Sequence, residues 1–188
     1  MKTQHVSKDK GMSCNLLVPE GLTCEVDNLG RVKIKGAKGE NQRQFLHPLV
    51  SMKKEGNNIL LSTKSSKKKS KRMIHSYQAH ILNLFRGAKE GFVYKLKICS
   101  GHFPMTVKQE GEKVVVSNFL GEKIPRTAQI MPSAKVKIDK DTITVEAPNV
   151  ESAGQTAANI ETATRIKGRD RRTFQDGIYI IEKPVRMQ

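Results

Sequence analysis

Residues 165–181 read Arg-Ile-Lys-Gly-Arg-Asp-Arg-Arg-Thr-Phe-Gln-Asp-Gly-Ile-Tyr-Ile-Ile. The first half, residues 165–172, is called the basic segment below. Its cations are Arg165, Lys167, Arg169, Arg171 and Arg172. The pair Asp176-Gly177 is typical of a turn, and the isoleucine-rich run after it is typical of a buried strand. The stretch therefore predicts a strand with a dense group of cations immediately before it.

The pattern of this stretch has counterparts earlier in the chain. Gly39-Glu40 matches Gly121-Glu122 after 82 residues, Ile59 matches Ile143 after 84, and Gly91 matches Gly177 after 86. A nearly constant offset predicts a duplicated unit of strands and one helix. We expect an α+β protein of two tandem domains, each a small antiparallel sheet packed on one face by a helix. The alternative explanation is that two unrelated α+β halves resemble each other by chance.

Two helices are expected, one in each unit. Ile74, Tyr77, Ile81, Leu84 and Phe85 recur at helical spacing, and we expect Gly87 and Gly91 to end that helix. The second helix follows Pro148-Asn149, with Asn149 as its N-cap. The expected organisation is an N-terminal extension at 1–15, a first repeat at 16–98, a second repeat at 99–183 and a tail at 184–188.

The charge of the chain predicts a polyanionic partner. The 188 residues hold 34 Lys+Arg against 18 Asp+Glu, a formal charge of +16, with a pI near 9.9. Nucleic acid is the first candidate and an anionic membrane the second. Residues 1–98 carry +13 and residues 99–188 only +3, so the basic segment is a local feature of a nearly neutral half.

A second group of cations, called the lysine cluster, precedes the first helix. Its members are Lys67, Lys68, Lys69, Lys71 and Arg72. Cations are unfavourable at the positive end of a helix dipole unless an anion is bound there. Arginine in the basic segment is suited to bidentate phosphate contacts. Both groups are therefore candidate RNA-binding sites, and a solvated charged surface is the alternative for each.

Other motifs favour structural roles. Gly36-Ala-Lys-Gly39 has the Gly-x-x-Gly spacing of a nucleic-acid-clamping loop, but that loop joins two helices and this one lies between expected strands. We expect a turn. Phe174 is suited either to stacking on a base or to core packing, and its place before a strand favours the core.

The sequence offers no catalytic or metal-binding constellation. The five histidines and three cysteines show no metal-ligand spacing, and no nucleophile–base pattern or phosphate loop is evident. We expect no catalytic residue, metal, cofactor or small-molecule substrate. The polar N-terminus, the odd cysteine count and the lack of an apolar run of about 20 residues favour a soluble intracellular protein that does not enter a membrane.

Four segments carry a resemblance to a known family. They are Arg169-Asp-Arg-Arg-Thr-Phe-Gln-Asp-Gly-Ile-Tyr179, His80-Ile-Leu-Asn-Leu-Phe-Arg-Gly-Ala-Lys-Glu-Gly-Phe-Val-Tyr-Lys95, His102-Phe-Pro-Met105 and Asn118-Phe-Leu-Gly-Glu-Lys123. Together they resemble the archaeal and eukaryotic branch of the large-subunit ribosomal protein six family (numbered nine in older eukaryotic usage). The matches occur in the family's order and span most of residues 16–183. The density of lysine at 67–72 departs from the family's usual start of the first helix.

The resemblance implies a non-enzymatic constituent of the large ribosomal subunit in the cytoplasm. It implies binding to large-subunit rRNA near the stalk base and factor-binding region, beside neighbouring ribosomal proteins. The family binds rRNA mainly through its second domain, which here directs attention to the basic segment and, beyond it, to Lys183 and Arg186. A free-standing RNA-binding regulator of the same fold, and an enzyme acting on nucleic acid, are the alternatives.

Overall fold

A computed structural model of the chain describes residues 11–27, 29–65, 67–170 and 172–184. These residues fall into two compact units that divide between Glu90 and Gly91. Within the described ranges, no helix has both the length and the apolar character needed to span a membrane.

The first unit combines six strands and one helix. The elements are β1 (Ser13–Leu17), β2 (Thr23–Val26), β3 (Arg31–Gly36), β4 (Gly39–Gln44), β5 (Ser51–Glu55), β6 (Asn58–Ser62) and α1 (Lys68–Lys89). Two antiparallel sheets form, in the orders β1-β6-β5 and β2-β3-β4. The predicted apolar stripe of α1 is confirmed, since all five of its members are buried against both sheets.

The hairpin between β3 and β4 packs under the end of α1. The Lys38 amide donates a hydrogen bond to the Ala88 carbonyl at 3.0 Å. A Cβ on Gly36 would lie 2.4 Å from that same oxygen, so only glycine permits this approach. The expectation of a structural turn at residues 36–39 is confirmed. The expected helix end at Gly87 is wrong, because α1 continues to Lys89 and the left-handed Gly91, with φ of 78°, follows it.

The second unit repeats the plan with one strand more. Its elements are β7 (Phe92–Cys99), β8 (Thr106–Glu110), β9 (Lys113–Ser117), a single 3₁₀ turn (Phe119–Gly121), β10 (Arg126–Gln129), β11 (Lys135–Ile138), β12 (Thr142–Ala147), α2 (Val150–Ala163) and β13 (Gly177–Glu182). The antiparallel sheets are β10-β9-β8 and β11-β12-β7-β13. Asn149 is the N-cap of α2, as predicted, and its side chain accepts a hydrogen bond from the Glu151 amide at 2.9 Å.

The strand registers confirm a tandem duplication of an α+β unit. Leu16 on β1 faces Ile59 on β6, and Leu96 on β7 faces Ile143 on β12. Both isoleucines are fully buried. Each unit therefore builds its core from one helix and two small antiparallel sheets.

The strand β7 was expected to close the first repeat and to match residues 177–181, and this part of the expectation is wrong. β7 lies in the second unit, where it holds the place that β1 holds in the first. β13 is its neighbour in the same sheet, with Ile178 facing Ile98. The order helix, glycine, strand occurs at both places in the sequence. Hydrogen-bond partners far away in the sequence decide where each strand lies, since β7 pairs with β12 and β13 pairs with β7. Local pattern does not contain that information.

Candidate nucleic-acid interface

The basic segment connects the end of α2 to the start of β13. Ile166 and Thr164 are buried, whereas Arg165, Lys167, Arg169 and Arg172 are exposed. The Thr164 hydroxyl accepts a hydrogen bond from the Ile178 amide at 2.9 Å and so ties α2 to β13. Buried anchors thus alternate with cations that point to solvent. Arg171 lies outside the described residues.

Arg126 on β10 fixes the start of the basic segment. Its guanidinium donates to both carboxylate oxygens of Glu122, at 2.8 and 2.6 Å, and to the carbonyls of Ala163 and Arg165, at 3.0 and 2.9 Å. It also lies 4.3 Å from the ring centroid of Phe119. The guanidinium thereby satisfies the carbonyl of Ala163, the last residue of α2, and that of Arg165 just beyond the helix. Hydrogen bonds from Arg126 hold the pKa of Glu122 below its ordinary value, so this carboxylate is ionised at neutral pH.

Phe174 supports the middle of the basic segment. The ring is partly buried and packs against the core of the second unit, in agreement with the favoured interpretation of this residue. The Arg169 guanidinium lies 5.0 Å from its centroid and the His102 ring 4.9 Å from it. A cation held over an aromatic ring loses freedom before it binds a ligand, which reduces the entropic cost of binding.

Asp176 fixes the chain just after the basic segment, where it leads into β13. The carboxylate is 2% exposed and accepts hydrogen bonds from the amides of Gly101 and His102, the second at 3.0 Å, and from the His102 ring at 2.6 Å. Burial alone would raise the pKa of Asp176, but these hydrogen bonds outweigh burial and hold the pKa below its ordinary value. The ionised Asp176 carboxylate therefore ties this loop to residues 101–102.

A tight turn shapes the segment between its two anchors. The Asp170 carbonyl accepts hydrogen bonds from the amides of Thr173 and Phe174, and its carboxylate accepts one from the Arg172 amide. The Arg172 guanidinium also pairs with Asp170, at 3.3 Å. Hydrogen bonds from Arg172 lower the pKa of the Asp170 carboxyl. The acid within the segment therefore organises the loop and neutralises only part of its charge.

The lysine cluster occupies the first turn of α1. Lys67 is the N-cap residue, makes no side-chain capping bond, and is followed by a first turn without an acidic residue. All five cations of the cluster are exposed. The predicted conflict with the helix dipole is confirmed in its geometry. The cluster lies in the first unit and the basic segment in the second. Lys183 is exposed just after β13, and Arg186 lies outside the described residues.

A cavity of about 390 Å³, called the α2 cavity, opens beside the basic segment. Its walls include Glu161, Thr162, Thr164, Arg165, Phe174 and Tyr179. No sequence pattern predicts the cavity, or Arg126 and Asp176 as anchors, because the residues that meet there come from distant parts of the chain. Alternation along Ile178-Tyr179-Ile180 does indicate an outward-facing tyrosine. Among the described residues, no group of three or more His, Cys, Asp or Glu is placed to hold a metal ion.

Comparison with known proteins identifies two matching segments. The family model described as ribosomal protein L6 matches residues 18–91 and again residues 103–177. The large ribosomal subunit protein uL6 of Methanobrevibacter smithii is 48% identical over 166 residues, which cover 88% of this chain and 93% of the relative. The proteins of the same description from Aeropyrum pernix and Halobacterium salinarum are 44% and 39% identical. They cover 96% and 90% of this chain, and 99% and 94% of their own lengths.

Proposed function

Because the chain belongs to the ribosomal protein L6 family, we propose that it binds large-subunit rRNA through the basic segment, near the stalk base where translation factors dock. Membership of the family makes the chain a non-enzymatic component of the large ribosomal subunit in the cytoplasm. Beyond family membership, we propose which surface of the chain binds rRNA, which region of the rRNA it binds, and that this binding supports the docking of translation factors.

The proposal is supported by exposed cations on a loop that is held in place at both ends. Four described cations of the basic segment face solvent on a short loop whose two ends are held by Arg126 and Asp176. Bidentate guanidinium groups on a rigid support suit phosphate oxygens, and a loop fixed beforehand gives up little entropy on binding. The second unit therefore carries the main rRNA-binding surface, with Lys183 at its border.

The lysine cluster provides a second contact with rRNA. Its five exposed cations lie at the N-terminus of α1, where the backbone amide groups of the first turn also attract anions. A phosphate bound there would interact favourably with the cations and with these amides. Neighbouring ribosomal proteins at the stalk base are the protein partners. Phosphate contacts position a protein without reading sequence, so the fit to one rRNA region comes from the shape of the folded RNA.

Directed cleavage of rRNA tests the proposed location. A Lys167→Cys variant, with Cys99→Ser to remove the most exposed native thiol, accepts an iron–EDTA probe on the basic segment. Assembled into large subunits, the probe is expected to cut rRNA at the stalk base and factor-binding region. A Lys108→Cys probe on an exposed position of β8 is the control. Strong cleavage confined to other rRNA regions would contradict the location.

Stoichiometry separates the ribosomal role from that of a free-standing regulator. We expect the chain to co-sediment with large subunits at moderate salt in amounts equimolar with large-subunit rRNA. A chain found only in ribosome-free fractions, bound to other RNA, would support the regulator and contradict the proposal.

A further inference from the structure

We infer that the α2 cavity receives one unpaired nucleobase of the bound RNA, stacked on Tyr179. The inference rests on the proposed function and deepens it, since it identifies what the second unit binds beside its phosphate contacts. Arg165 of the basic segment is one of the residues that line the cavity, so a phosphate bound to Arg165 would place the neighbouring base within reach of it. Its volume of about 390 Å³ falls in the range of small-molecule pockets.

Tyr179 is held in place as a stacking surface. The side chain is 40% exposed, although it belongs to a strand in the main sheet of the unit. Its hydroxyl donates a hydrogen bond to the Gln175 carbonyl at 3.2 Å. The ring folds back over Gly177, where an added Cβ would lie 3.0 Å from the ring carbon Cζ. A fixed, half-exposed aromatic ring is the platform on which proteins stack single-stranded bases.

The cavity chemistry favours a base over a phosphate. The Glu161 carboxylate lines the wall and is oriented by a hydrogen bond from the Ile180 amide to Oε1, at 3.2 Å. A carboxylate accepts only, with about four acceptor positions, and it repels phosphate. Exocyclic amino groups of adenine, cytosine and guanine donate to such an acceptor. We therefore expect a base that carries an amino group, with uracil the least favourable.

The position of Arg165 suggests where the phosphate and the base of one nucleotide would bind. Arg165 lines the cavity as an exposed cation, whereas the cavity lining also includes the Glu161 carboxylate, which is partly buried, and the Tyr179 ring. The sugar–phosphate chain then remains on the basic segment while the base turns inward. Such extrusion requires an unpaired nucleotide, so the ligand is a loop or bulge of the RNA and not a continuous duplex.

The test compares large-subunit rRNA binding by Tyr179→Ala, Tyr179→Phe and Ile181→Ala over a series of salt concentrations. Ile181 is 53% exposed two residues along the same strand, which makes it the matched control. We expect Tyr179→Ala to weaken binding about tenfold at every salt concentration. The slope of log K against log salt stays unchanged, because stacking releases no counterions. Tyr179→Phe and Ile181→Ala are expected to stay within about twofold of wild type.

Crosslinking identifies the base. Ultraviolet irradiation of the wild-type complex is expected to join the peptide containing Tyr179 to one unpaired nucleotide, and changing that nucleotide to uridine lowers the affinity. Equal binding by Tyr179→Ala and Ile181→Ala would overturn the inference while leaving the proposed function intact. A changed salt slope in Tyr179→Ala would also overturn it, because the ring would then act through the basic segment. Failure of the wild-type chain to bind the rRNA would instead remove the proposed function.

Discussion

Two charged residues decide the conformation of the basic segment. Arg126 holds the chain at the start of the segment through the carbonyls of Ala163 and Arg165. Asp176 holds the chain after the segment through the amides of Gly101 and His102. Cations crowded on one loop repel one another, so an unanchored loop would spread them apart. The hydrogen bonds that Arg126 donates and Asp176 accepts hold the backbone on either side of the segment and so oppose that repulsion.

Replacing Asp176 tests how much its carboxylate hydrogen bonds stabilise the fold. Asp176→Asn removes a buried charge that accepts three hydrogen bonds, and we expect the free energy of unfolding to fall by about 1–3 kcal/mol at pH 7. Urea unfolding at pH 7 measures the change. Asp139→Asn, at an exposed turn position in the same unit, is the control and is expected to change stability by less than about 0.5 kcal/mol.

The pH dependence of the same variant adds a second check. The folded-state pKa of Asp176 lies below its unfolded value of about 3.9, so the carboxylate stabilises the fold above about pH 4. This contribution is lost as the pH falls through the folded-state pKa. The stability difference between wild type and Asp176→Asn should therefore narrow on acidification below about pH 4. A difference that widens in acid would contradict this assignment.

At the scale of the elements, α1 begins in a way that weakens the helix. Lys68 and Lys69 occupy its first two positions, where acidic residues interact best with the dipole. Stabilisation comes instead from the buried stripe farther along the helix. The cost at the start of the helix is explained if the cations serve to bind an anion.

Charge reversal at these positions is expected to separate stability from RNA binding. Lys68→Glu with Lys69→Glu should raise the free energy of unfolding by about 0.3–1 kcal/mol per residue and weaken rRNA binding. Thermal unfolding and a filter-binding assay measure the two effects. The control reverses two exposed charges away from any helix start, Lys38→Glu with Lys53→Glu. If both double variants weaken rRNA binding equally, the lysine cluster acts through net charge alone.

The elements also show how far the sequence predicts the fold and the site. The apolar spacing of α1, the Asn149 cap and the exposed basic segment follow from local pattern, because each depends on residues a turn or two apart. The strand β10 has the polar sequence Arg-Thr-Ala-Gln and exists through its pairing with β9, so no pattern indicated it. Long-range contacts likewise determine that β7 belongs to the second unit. They also form the α2 cavity.

For the whole molecule, duplication has produced two similar scaffolds with different charged surfaces. The first unit carries its cations at a helix start, and the second carries them on an inserted loop before an additional strand, β13. That loop has no counterpart between α1 and β7, and it is the reason we propose the second unit as the main rRNA-binding surface. With a formal charge of +16, affinity for rRNA should depend strongly on salt, and the loop's share of that dependence is measurable.

The salt dependence of rRNA binding shows whether the basic segment contacts RNA phosphates. Arg169→Ala with Arg172→Ala removes two exposed cations from the basic segment, and Lys108→Ala with Lys140→Ala removes the same charge elsewhere in the second unit. Circular dichroism is used to check that each variant is folded. We expect the slope of log K against log salt to become shallower by about one unit per lost phosphate contact in the arginine variant. In the lysine variant the slope should stay at the wild-type value. An unchanged slope in the arginine variant would show that these side chains do not contact RNA.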